Sequence, residues 1–223
     1  MSRPTKQCPS PPSREPGAVL LETDRLLLRR VQPSDAPGLA AAANHRAVYL
    51  ALRNTFPSPY TLADAESFVG TSSAPEATAN APATASADTN ADADADDKSL
   101  YPSKVAVLVK GASPADEPLF VGCIGADPGE DVFHRTWEVG YWLTPSAWGK
   151  GYATEALTAM VPWLFATWPG MYRLHAFTFA NNEQSGKVLT KAGFALEGVQ
   201  QMAAEKAGEL VDLRVIIEMY HKF

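Results

Sequence analysis

Over a short stretch of this chain the hydrophobic pattern changes period, and a glycine turn marks the change. Trp137-Glu138-Val139-Gly140-Tyr141-Trp142-Leu143 reads as a strand ended by Thr144-Pro145, whereas Ala153 to Val161 reads as a helix. Gly149-Lys150-Gly151 lies between them. Pro162 falls inside the helical pattern and is expected to kink or shorten it. A second strand, Arg173 to Phe179, and a second helix, Glu183 to Lys191 stopped by Gly193, follow. Strand–helix–strand–helix order behind a meander of strands predicts an α+β mixed sheet with one parallel pair.

The rest of the chain supplies that meander. Arg25 to Val31 is an apolar run with charged flanks, a first strand. Pro33-Ser34-Asp35 offers capping chemistry before an Ala-rich helix through about Ala43, and Thr61 is placed to cap a second short helix. Lys104 to Val109 and Leu119 to Gly125 read as strands around a Gly/Ser/Pro/Asp loop. Phe194 to Gln200 and Glu209 to Tyr220 are expected to close the sheet as an antiparallel hairpin.

Composition excludes several classes. The 223 residues carry a net charge of −6, with no basic cluster, which argues against nucleic acid as the main partner. No run of about 18 apolar residues is present, so no membrane span is expected. Cys8 and Cys123 are too few for a disulfide scaffold, and the Pro/Ser-rich start lacks an apolar signal segment, so a cytoplasmic protein is the expectation. His45, His134, His175 and His221 show no ligand spacing and predict no metal site. His175 reads as a satisfied core histidine, and Cys123 as a small buried hydrophobe. The stretch around residues 71–100, Ala- and Asp-rich without an aromatic residue before Tyr101, cannot bury enough apolar area to offset its ordering entropy. It is expected to be a disordered insertion in a single domain over residues 19–222, after a disordered tail at 1–18.

Trp148-Gly149-Lys150-Gly151-Tyr152-Ala153-Thr154 carries chemistry because the first N–H groups of a helix have no intrahelical partner. Those donors and the helix dipole make a seat for phosphate. Neither the Walker pattern nor the dinucleotide fingerprint is present, and a glycine turn opening a helix is also compatible with a plain turn.

The string EVGYWLTPSAWGKGYATEAL followed by NNEQSGKVLTKAGF, with TDRLLLRRVQPSDAPGL and FPSPYTLADAESF before them, resembles the GNAT (Gcn5-related N-acetyltransferase) superfamily, in its ribosomal-protein N-acetyltransferase branch. The resemblance implies a mostly antiparallel sheet whose central parallel pair splays, flanked by helices. It implies acetyl-CoA as co-substrate, without a metal, and transfer to a primary amine, either a protein N-terminus or a small-molecule amine, by direct attack in a ternary complex. The coenzyme's pyrophosphate would lie on the backbone amides of Trp148, Gly149, Lys150, Gly151, Tyr152, Ala153 and Thr154. Trp148 replaces the usual Gln or Arg. The pantetheine arm would enter beside Trp142 and Leu143, with Asn182 and Ser185 near the thioester. Acceptor-facing loops are expected around Phe56 to Tyr60 and Gln200 to Glu209, and a monomer or homodimer is the expected state.

Glu138 is the candidate base, or else a surface carboxylate on an alternating strand. Leu143 N–H is the implied oxyanion donor. Ser185 either protonates the departing thiolate or caps its helix, because Leu189 stands where many relatives carry a Tyr. Two other readings remain: a non-catalytic acyl-CoA sensor on the same fold, and an interaction protein working through its acidic insertion.

Overall fold

The computed structural model of the chain describes residues 12–70, 100–113 and 115–219. The acidic insertion at 71–99 and the start of the expected tail therefore lie outside the described residues. Eight strands form one sheet in the order β1-β2-β3-β4-β5-β6-β8-β7. They are β1 (Val19–Glu22), β2 (Leu26–Arg30), β3 (Val105–Val109), β4 (Leu119–Pro128), β5 (Thr136–Leu143), β6 (Arg173–Phe179), β7 (Ala195–Lys206) and β8 (Glu209–Met219). The described helices are α1 (Ala36–Ala43), α2 (Arg46–Ala51), α3 (Leu62–Gly70), α4 (Tyr152–Thr167) and α5 (Glu183–Lys191). Neighbouring strands are antiparallel except β5 and β6, the single parallel pair.

Two cores sit on opposite faces of the sheet. Leu157, Met160, Val161 and Leu164 of α4 and Leu189 of α5 pack on Leu26, Leu28, Trp137, Val139, Leu174, Ala176 and Ile216, spanning both halves of the sheet. Leu39 and Ala43 of α1 and Ala65 and Val69 of α3 cover Ala106, Leu108 and Cys123 on the other face. Helices thus cover both faces of β3, which explains its unbroken apolar sequence. Cys123 is buried as expected, and burial pushes its thiol well above the usual range.

Several local expectations need correction. α4 runs sixteen residues through Pro162, so the proline does not shorten it. One missing N–H is outweighed by the row of buried side chains before and after it. Asp35 does not cap α1: its carboxylate turns back to Gln32 N–H at 2.9 Å and takes both Nη atoms of buried Arg29, at 2.7 and 2.6 Å. Thr61 does cap α3, accepting from Asp64 N–H at 3.2 Å while Asp64 accepts from Thr61 N–H at 2.8 Å. The tail is tied down sooner than expected, since Ser13 O accepts from Arg30 Nε at 2.6 Å and Gly17 N–H reaches Arg30 O at 3.2 Å. Arg30 also holds Leu100 O at 2.8 Å, so the chain is anchored where it returns from the insertion.

Candidate active site

β5 and β6 pair only through Thr136, Trp137 and Glu138 against Arg173, Leu174 and His175. Beyond that point β5 stays on β4 as far as Leu143, and β6 stays on β8 as far as Phe179. The two central strands therefore part after Glu138. Thr144 N–H donates to Val121 O on the β4 side at 2.8 Å. Backbone groups alternate along an antiparallel ladder, so those of Trp142 face β4 while those of Tyr141 and Leu143 face the opening. Trp142 is accordingly a wall residue: its indole lies against Phe56 and Phe120, with ring centroids at 5.7 and 6.5 Å.

The glycine turn stands at the wide end of this opening. From Gly149 to Thr154, six successive N–H groups have no acceptor among the described residues; the next, Glu155 N–H, donates to Gly151 O at 3.0 Å. Gly149 and Gly151 take φ of 73° and 81°, torsions that any side chain would strain. A Cβ on Gly149 would meet nothing within 4 Å, so the glycines are required by torsion rather than by crowding. Unpartnered donors at the start of α4 fit a diphosphate group. Trp148 has its own task here, because its indole Nε1 donates to Leu143 O at 2.7 Å and fastens the turn to the end of β5. Arg25 fastens the turn from the other side. Its Nη1 donates to Lys150 O at 2.9 Å, its Nε to Glu155 Oε2 at 2.7 Å, and its guanidinium lies 4.8 Å from the Tyr152 ring centre. Glu155 Oε1 accepts from Thr23 Oγ1 at 2.6 Å and from Arg25 N–H at 3.0 Å. Burial works against the Glu155 charge, but these bonds outweigh it and hold the carboxyl below its ordinary pKa.

On the α4/α5 face, Asn182 caps α5 by accepting Ser185 N–H at 3.1 Å. The cap is thus Asn182, which corrects the alternative that Ser185 caps its helix. Ser185 Oγ instead lies 2.8 Å from Tyr141 Oη, which also donates to Ser185 O at 3.2 Å. Burial pushes the Tyr141 hydroxyl up to about 12 against the bond to Ser185, so it stays protonated. Leu189 is fully buried and offers nothing to the opening. The tyrosine hydroxyl next to α5 comes from β5.

Glu138 occupies the opposite face, at the last paired rung. Its Oε1 accepts from Arg53 Nη2, and its Oε2 lies 3.9 Å from His175 Nε2. His175 is not the satisfied core histidine expected, since its buried Nδ1 has no hydrogen-bond partner. Burial lowers its pKa, only partly opposed by Glu138, and keeps the ring neutral at pH 7. The segment after α2 roofs this face. Lys206 Nζ donates to Asn54 Oδ1 at 3.0 Å and sits 3.5 Å over the Tyr49 ring, while Asn54 Nδ2 reaches Glu205 O at 3.3 Å. Residues 200–206 are therefore strand, not the free loop expected, and Lys206 is buried. Phe56 and Tyr60 likewise stack at 4.7 Å on the second core.

Sequence reasoning missed Arg25, Arg53, Tyr141 and His175 as neighbours of the site. Only Arg25 left a signal, a charged residue at the head of an apolar strand. Among the described residues no group of three or more His, Cys, Asp or Glu is placed to hold a metal, and no helix is long and apolar enough to cross a membrane.

The family model described as "Acetyltransferase (GNAT) domain" matches residues 25–195. A Bacillus subtilis (strain 168) protein named "Uncharacterized N-acetyltransferase YoaA" is 28% identical over 198 residues, covering 88% of this chain and 94% of that one. Among solved structures, a GNAT-family acetyltransferase from Bacillus anthracis superposes with a TM-score of 0.66 at 20% identity, over 89% of this chain and 97% of the other. Mycobacterium smegmatis RimJ, solved with CoA-disulfide, gives 0.65 at 19% identity, over 87% and 81%. The splayed pair, the glycine turn and the family match agree: this chain belongs to the GNAT acetyltransferase family.

Proposed function

We propose that the protein transfers an acetyl group from acetyl-CoA to a primary amine, a protein N-terminus or a small-molecule amine, by direct attack within a ternary complex in the cytoplasm. The observation that carries this reading is the run of six unpartnered amides at the open end of a parallel pair that parts after Glu138. Acetyl-CoA supplies the activated thioester. The amides from Gly149 to Thr154 hold its diphosphate, and the edge of β5 facing the opening, through the backbone groups of Tyr141 and the N–H of Leu143, receives the pantetheine arm as an added strand would be received. Leu143 N–H, directed into the opening, is the donor for the oxygen on which negative charge gathers. Glu138 accepts the amine proton directly or through water, at the roofed end where its carboxylate is paired with exposed Arg53 and lies near neutral His175. Ser185, its hydroxyl held by Tyr141, provides a proton for the departing sulfur.

The test is a panel of primary amines with acetyl-CoA, following release of free CoA and the mass of the acetylated product. Turnover with an amine supports the reading. Binding of acetyl-CoA with no turnover across peptides, polyamines and amino sugars would favour a sensor on the same fold. Absence of acetyl-CoA binding would refute both.

A further inference from the structure

Arg25 lies far in sequence from the glycine turn yet contacts it once and the first turn of the helix behind it twice. Its Nη1 bonds Lys150 O, its Nε is anchored by Glu155, and its guanidinium covers Tyr152. Its Nη2 lies 3.5 Å from the position a Cβ would take on Gly151. The peptide joining Lys150 to Gly151 is planar, and in a trans peptide the N–H points opposite to the C=O. A Lys150 carbonyl drawn towards Arg25 therefore turns the Gly151 N–H away from Arg25. Flipping this peptide rotates ψ of Lys150 and φ of Gly151, and Gly151, at φ 81° and without a Cβ, accepts either sign of φ at little steric cost. Something has to select one orientation, and the hydrogen bond from Arg25 is the only side-chain bond to the turn's backbone carbonyls among the described residues.

We infer that Arg25, held by Glu155, is a positioning residue for coenzyme binding: it fixes the Lys150–Gly151 peptide so that the turn presents its N–H groups as one set to the coenzyme's diphosphate. This rests on the acetyl-CoA reading above. Glu155 has a defined part in it. A carboxylate in the first turn of α4 would repel a phosphate, and the Arg25 ion pair, at 2.6 Å, neutralises that charge while using it as an anchor. Thr23, through its hydroxyl bond to Glu155, ties the same anchor to the loop between β1 and β2.

The experiment compares wild type, Arg25→Ala and Arg25→Lys by calorimetric titration with CoA, and by kinetics with acetyl-CoA and with S-acetyl-pantetheine, which lacks the diphosphate. Arg25→Ala should raise the Kd for CoA about tenfold or more, as expected for losing a charge-assisted bond that orders the turn. It should raise KM for acetyl-CoA in parallel, leave kcat and acceptor KM near wild type, and leave kcat/KM for S-acetyl-pantetheine unchanged. Arg25→Lys keeps the charge but cannot reach Glu155 and Lys150 O together, so it should recover little of the affinity. An unchanged Kd for CoA, an equal loss with both donors, or full recovery in Arg25→Lys would each overturn the inference. Should Arg25→Ala fail to fold, Arg25→Lys alone decides by the same donor comparison. Failure of the wild type to bind CoA would instead refute the acetyl-CoA reading itself.

Discussion

If Glu138 takes the proton from the acceptor amine, Glu138→Gln should keep the fold and the coenzyme site while losing most turnover. The structure sets the first magnitude and the chemistry of proton transfer the second. Glu138 is bonded to Arg53, but the side chains are 35% and 67% exposed, and an ion pair that open contributes about 0–1 kcal/mol to stability. For a chain of this size that is a shift in Tm of only a few degrees, roughly 2–4 °C per kcal/mol. Loss of a general base costs roughly 10²–10⁴-fold in rate, which is far larger than anything the ion pair explains. The assay is steady-state CoA release at saturating substrates, with melting curves on the same samples. Arg53→Gln is the control, because it breaks the same pair and keeps the carboxylate; it should match Glu138→Gln in Tm and retain most of the turnover. Raising the pH should partly rescue Glu138→Gln, since more acceptor amine arrives already deprotonated. A kcat for Glu138→Gln within a few-fold of wild type at neutral pH, or an equal fall in Arg53→Gln, would remove the base role.

Further consequences can be checked with the same preparations. Asn182→Ala should lose about 1 kcal/mol in urea melts, the usual cost of an N-cap, whereas Ser185→Ala should lose clearly less, because the Asn182 cap acts on Ser185 N–H and Tyr141 still reaches the residue 185 carbonyl. The Glu155 carboxyl is held below its unfolded value near 4.3, so its contribution is present above that pH and lost as the pH falls through the folded value. Melting temperatures of wild type and Glu155→Gln should therefore differ at pH 7 and converge on acidification; a constant difference would show that the bonds around Glu155 do not favour its charge. Leu157→Ala, at a fully buried position of α4, should cost about 2–5 kcal/mol by urea unfolding.

Local pattern made much of this fold readable in the sequence. β6 and α5 were predicted to the residue because each carries its own period and a clear stop, the left-handed Gly193 in the case of α5. Short elements escaped. α2, six residues long, is less than two turns and has no period to detect, and β1 is an edge strand without a fully buried side chain. The sequence does not announce the tight hairpin between β7 and β8, because its turn is Ala207-Gly208, with φ of 54° and 86°, rather than the Asn-Gly that usually marks two left-handed residues. The glycine turn was legible because unpartnered backbone amides need only glycine and a helix start. Arg53, Tyr141 and His175 were not, because their neighbours are set by sheet register and by which face a side chain takes, and both emerge only when distant segments pair.

The short contact between β5 and β6 also has a mechanical meaning. The sheet is two plates, β1 to β5 and β6 with β8 and β7, stitched by three rungs, backed on one face by the core beneath α4 and α5 and tied on the other by the contacts of Tyr49 and Asn54 with Glu205 and Lys206. The core beneath α1 and α3 belongs to the first plate alone. Load placed across the sheet therefore concentrates at Glu138 and His175, where the stitching ends. Hydrogen exchange should read this as a gradient, with amides protected along β4 and β8 and progressively freer along β5 from Val139 towards Leu143 on the unpaired side. A ligand lying in the gap acts as the missing rungs, so its grip stiffens the seam between the plates as well as filling a site.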